Sequence, residues 1–135
     1  MRKILILFIL LTAPVCLLAQ DLTIGKTRDQ VRHIIQSNPA FKLLTGKTSD
    51  TLTFQAGMQT VFYYKNNICY SSKSILPVMY MNDVVQKMTN DSYTKIKDNI
   101  WRDAGKRIEV VVTMDKVNNK CIVVTTKIGD APVKD

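Results

Sequence analysis

The triplet Gly-Lys-Thr occurs twice in close succession, as Gly25-Lys26-Thr27 and Gly46-Lys47-Thr48. In a phosphate-cradling nucleotide loop the pattern is Gly-x-x-x-x-Gly-Lys-Thr, following a strand. Gln20 and Phe41 stand where the first glycine is needed, so neither triplet forms that loop. The lone histidine, His33, has no cysteine, histidine or acidic cluster at metal-ligand spacing around it. Ser71, Ser72 and Ser74 share a short stretch with no base in sight. Asp98 and Asp103 could pair as carboxylates, but each borders a turn, where Asp bonds local backbone. Trp101 reads as a core anchor before a ligand platform. Lys95, Lys97, Arg102, Lys106 and Arg107 crowd one stretch and form a candidate anion-binding patch, diluted by Asp98, Asp103 and Glu109. No catalytic, metal or cofactor-binding residue is assigned, and no cofactor is expected.

The elements that carry these residues are legible in outline. Thr27-Arg28-Asp29-Gln30 has the Thr-x-x-Gln form of a capping box, and Asp29 suits the positive end of the helix dipole. Val31, Ile34 and Ile35 then make one apolar stripe, and Asn38-Pro39 stops the helix. His33 points off that stripe, toward solvent. The second triplet lies between two β-prone runs and reads as a hairpin turn over 46–50. Strands are expected at 41–45, 51–55, 59–65 and 68–75, with turns at Ala56-Gly57-Met58 and Asn66-Asn67. Pro77 breaks the chain, and a helix over 80–90 carries Met81, Val84, Val85 and Met88. Four more strands follow at 93–98, 100–103, 107–115 and 120–128.

One plan is used twice, a helix and then four strands, and "KNNIC" at 65–69 is echoed by "VNNKC" at 117–121. The expected fold is α+β: two tandem α-β-β-β-β repeats, 24–76 and 77–128, forming an antiparallel sheet with two helices packed on one face. In the last two strands Ile108, Val110, Val112, Met114, Ile122, Val124 and Ile128 are expected on the dry face, with Cys121 on the wetter one. That wetter, partly apolar face is a candidate binding surface. Cys69 and Cys121 are a candidate disulfide, given an exported compartment and equivalent repeat positions.

Export is expected from the first 19 residues. Met1-Arg2-Lys3, an apolar run from Ile4 to Leu11 and a small residue at Ala19 describe a signal peptide. The whole apolar stretch is about 15 residues and contains Pro14, shorter than the roughly 20 residues needed to span a bilayer. Cys16 raises the alternative of a lipid anchor, although Val15 is larger than the residue usual before a lipidated cysteine. The expected organisation is a signal peptide, 1–19, one domain, 20–128, and a loose tail, 129–135. The whole chain carries a net charge of +8. Losing Arg2 and Lys3 leaves about +6, which favours anionic partners and solubility without specifying a fold. Export argues against nucleic acid as partner and for a protein or an anionic envelope component.

The stretch "IGKTRDQVRHIIQSNP" resembles the start of the SmpA/OmlA family, small lipoproteins of the outer-membrane barrel-assembly machine, through Gly25, Thr27, Gln30, Val31 and Pro39. Ser37-Asn38 stand where that family has Gly, with the spacing one residue longer. The doubled plan resembles β-lactamase inhibitor protein and its relatives, which bind enzymes across a concave sheet. The first resemblance implies an outer-membrane-assembly accessory and the second a binding module. The expected function is that of an exported, non-enzymatic binding protein of the cell envelope or secreted fraction. The alternatives are the assembly accessory and a hydrolase with an unrecognised site, which a deep pocket holding His33 with a carboxylate would favour.

Overall fold

Helix α1, Arg28–Gln36, starts where the capping box places it. The Thr27 amide donates to Gln30 Oε1 at 3.0 Å and the Gln30 amide to Thr27 Oγ1 at 3.3 Å, so two amides left over at the helix start are satisfied reciprocally. The computed structural model describes residues 22–36, 41–53, 58–90 and 93–129. The signal peptide, Cys16, the Asn38-Pro39 stop, Ala56-Gly57 and the tail beyond Gly129 lie outside the described residues.

After α1 come β1 (Lys42–Thr45), β2 (Ser49–Thr53), β3 (Gln59–Lys65) and β4 (Ile68–Pro77). A 3-10 turn, Val78–Tyr80, leads into α2 (Met81–Asn90). Strands β5 (Thr94–Lys97), β6 (Ile100–Asp103), β7 (Ile108–Asp115) and β8 (Lys120–Lys127) complete the order. All eight form one sheet in the order β1-β2-β3-β4-β8-β7-β6-β5, and every neighbouring pair is antiparallel. The fold is thus α+β. β4 runs two residues past its expected end, to Pro77. β2 begins two residues early, at Ser49, which moves Asp50 from the turn into the strand, where it is fully buried.

Each helix gives its apolar stripe to a cluster. Val31 and Ile35 join Leu52, Phe62, Tyr64 and Cys69. Val84 and Met88 join Trp101, Ile108, Val110, Val112, Cys121 and Val123, among others. Ile24 packs against both. Burying side chains such as Phe62 and Val112 completely stabilises the fold by about 1.5–3 kcal/mol each. Trp101 is only 4% exposed, a core residue.

The phase of β8 differs from expectation. Cys121, Val123 and Thr125 are buried, while Ile122 and Val124 lie half-buried on the other face. Register decides this. Val123 pairs with Val112 and Thr125 with Val110, so they must share the face of those core residues. Cys121 is therefore fully buried rather than on the wetter side. The disulfide is not made either: Cys69 and Cys121 are both free. Cys121 pairs with Leu76, seven residues along β4 from Cys69, a separation of about 20 Å at strand rise. A bridge needs Cα atoms within about 7 Å.

Candidate functional site

The two Gly-Lys-Thr segments are joined by one buried carboxylate. Helix α1 brings Arg28 and Arg32, one turn apart, toward the start of β2. Arg28 Nε donates to Asp50 Oδ2 at 3.2 Å, and its Nη2 donates to Oδ1. Arg32 Nε donates to Oδ2 at 3.0 Å and Nη2 to Oδ1 at 3.2 Å. Arg28 also binds the hairpin's own carbonyls, donating to Gly46 O, to Lys47 O at 3.1 Å and to Ser49 O at 3.2 Å. Its guanidinium lies 5.1 Å from the centre of the Tyr64 ring, a cation–π distance. The first triplet is tied in by backbone. Gly25 N donates to Cys69 O and Cys69 N to Lys26 O, each at 2.8 Å. Gly25 takes a φ of 85°, where a Cβ would be strained.

Burial alone would raise the carboxyl pKa of Asp50, but hydrogen bonds from Arg28 and Arg32 outweigh it and hold the value below the ordinary one. Tyr64, beside it, is pushed far up, first by burial and then by the Asp50 charge. With Asp50 neutralised by two guanidinium groups, the cluster is built to anchor α1 and the β1–β2 hairpin. The signal for it was Arg28 and Arg32 at i and i+4, with Asp50 at the hairpin exit; nothing local in the sequence joins them.

The second candidate is a sheet face. Cross-strand partners project to the same side, so the register defines rows. One row runs Thr51–Val61–Lys73–Val124–Val111–Ile100 across six strands, and all six residues are half-buried. To one side lie Tyr63, Ser71, Thr126, Glu109 and Arg102; to the other lie Gln59, Ile75, Ile122 and Thr113. Arg102 Nε donates to Glu109 Oε2 at 2.7 Å, next to a depression of about 180 Å³ bordered by Val111, Thr126 and Ile128. No family model, no curated protein and no solved structure matches the chain. The site is therefore read from its own chemistry.

The residues singled out in the sequence scatter. His33 is exposed and shares a wide, shallow groove along α1 with Lys26, Asp29, Gln30 and Ile34. Ser71 and Ser74 make their hydrogen bonds within the sheet. Ser71 Oγ donates to Thr125 O at 3.1 Å and lies 3.0 Å from Thr126 Oγ1, and Ser74 Oγ lies 2.6 Å from Thr60 Oγ1. The cations of the anion-patch stretch divide between the faces. Lys95 pairs in register with buried Trp101, while Arg102 pairs with Glu109 on the other side. Lys95 meets Asp98 at 3.4 Å and Lys106 meets Asp103 at 3.9 Å. Asp103 Oδ1 also accepts the Lys106 amide at 3.0 Å, its expected turn role. Among the described residues no group of three or more His, Cys, Asp or Glu could hold a metal, and no helix is long and apolar enough to cross a membrane.

Proposed function

We propose that this is an exported, non-enzymatic binding protein that engages a partner through the sheet face centred on Lys73 and Val124. The observation that carries the reading is the continuous half-buried row from Thr51 to Ile100, which joins both halves of the sheet. Leu52, Thr60, Ser74, Val123 and Val112 form another row with the opposite projection. The α1 cluster uses Leu52 and the α2 cluster uses Val112 and Val123, so both helices pack toward one face; on the other, the half-buried row runs beside buried Ser71 and Thr126. A broad mixed surface of apolar, hydroxyl and charged side chains suits recognition of a protein.

The same pairing supports two tandem α-β-β-β-β units related about the Lys73–Val124 pair. Ser72 opposes Thr125 on one side of it and Ser74 opposes Val123 on the other. Asn67 O accepts the Arg28 amide at 3.0 Å, and Asn119 O accepts the Val78 amide at 3.1 Å. The recurring Asn-Asn turn thus ties down the entry of each helix. The Thr27–Gln30 part of the lipoprotein resemblance performs a local capping job, so it is not carried into the function.

The test is affinity capture from an envelope fraction, read by mass spectrometry. A partner retained by the parent chain and by His33→Ala, but lost by Val124→Arg with an unchanged melting temperature, is the expected result. A partner equally retained by Val124→Arg would rule out the sheet face.

A further inference from the structure

Resting on the sheet face as the docking surface, we infer that its occupant is a protein presenting an acidic surface with an apolar centre, including a carboxylate opposite Lys73. Among the described residues, this face carries the cations Lys42, Lys65, Lys73, Lys97, Arg102 and Lys120 against two acids, Glu109 and Asp115. Glu109 is already bound to Arg102, and Asp115 accepts the amides of Val117 and Asn118 in its turn. The excess positive charge therefore surrounds the apolar row of Val61, Val124, Val111 and Ile100.

Three occupants can be compared on this charge. A second copy would press two cationic faces together, which costs free energy. An anionic bilayer would satisfy the charge. Interfacial insertion, however, buries apolar groups about 5–10 Å into the headgroup boundary, and the valines and isoleucines here lie half-buried within the sheet surface. An acidic protein surface satisfies both the charge and the half-buried apolar row. Lys73 sharpens the requirement. It sits on a central strand between Val61 and Val124, so any docked partner removes its ammonium from water. A carboxylate across the interface offsets that desolvation. An ammonium carries three donors, so a bond within the chain still leaves capacity for one across the interface.

The experiment is an amide chemical-shift titration of the 15N-labelled exported chain with three probes. These are a peptide alternating Glu with Leu and Phe, its counterpart with Lys for each Glu, and phosphatidylglycerol–phosphatidylcholine vesicles. The acidic peptide should move the amides of Val61, Lys73, Val111 and Val124. Raising the salt should weaken that binding, and Lys73→Glu should weaken it at least tenfold. Lys73→Gln should weaken it several-fold, with thermal melting reporting that each variant folds. Equal binding of the basic peptide at these amides would overturn the acidic partner while leaving the face a docking surface. Binding of vesicles alone would make the partner a lipid and overturn the inference. Shifts confined to α1, or none with any probe, would overturn both this inference and the sheet-face reading.

Discussion

Thr27 and Asp50 do more for this fold than the residues whose types suggest catalysis. Thr27→Ala removes one half of the capping box and should cost about 1 kcal/mol. His33→Ala, on the exposed side of α1, should cost much less; urea denaturation of the two variants makes the comparison. Asp50→Asn should cost about 3 kcal/mol, at the lower end for breaking a buried pair, because Arg28 and Arg32 keep partial access to water at 17% and 30% exposure. The folded-state pKa of Asp50 is depressed. Its contribution is therefore complete above the unfolded carboxylate value of about 3.9 and is lost as pH falls through the folded one. The parent should lose more stability than Asp50→Asn between about pH 5 and pH 2, measured by denaturation across that range. The thiols give a third expectation. Burial pushes Cys69 up to about 12 and also raises Cys121. An aromatic disulfide reagent at neutral pH should label neither quickly in the folded chain and both after unfolding without reductant.

At the level of elements, the Asn-Asn turns are the sensitive joints. Asn66, Asn67 and Asn119 have φ of 50°, 64° and 52°, and Asn67 and Asn119 also accept the helix-entry amides. Asn119→Val should lower stability by about 1–2 kcal/mol, the left-handed penalty of an L-residue, whereas Asn119→Gly should be nearly neutral in the same urea titration. Most element positions were legible because turns and periodicity are local. In β7, Glu109 and Thr113 interrupt one apolar phase, so the core side could be read directly. In β8 both phases are apolar at Cys121–Val124, and the choice is made by pairing with β7, which no local pattern contains. Asp50 escaped notice for the same reason: beside a Gly-Lys-Thr-Ser turn it looks like a turn residue, until α1 delivers two arginines from across the chain. The mixed character of Glu109, Val111 and Thr113 in β7 was legible, but the alignment of their face through Lys73 depends on the β4–β8 register.

Across the whole molecule, protection should be graded from the centre of the sheet outward. β4 and β8 each pair on both sides, whereas β1 and β5 pair on one side and expose most of their side chains. Amide hydrogen exchange should be slowest in the paired amides of β4 and β8 and fastest among the strands in β5; equal protection in β5 would mean that something covers that edge. The two margins also govern what the protein avoids. Each outer strand is four residues long, β1 carries Lys42, and β5 carries Lys95 and Lys97 with an irregular register between them. Short, charged, kinked margins are poor templates for another chain's backbone. Ribbons that grow strand by strand lock many chains into one stack and are hard to reverse. The sheet thus resists polymerisation at its rims, where its backbone would otherwise be open to pairing.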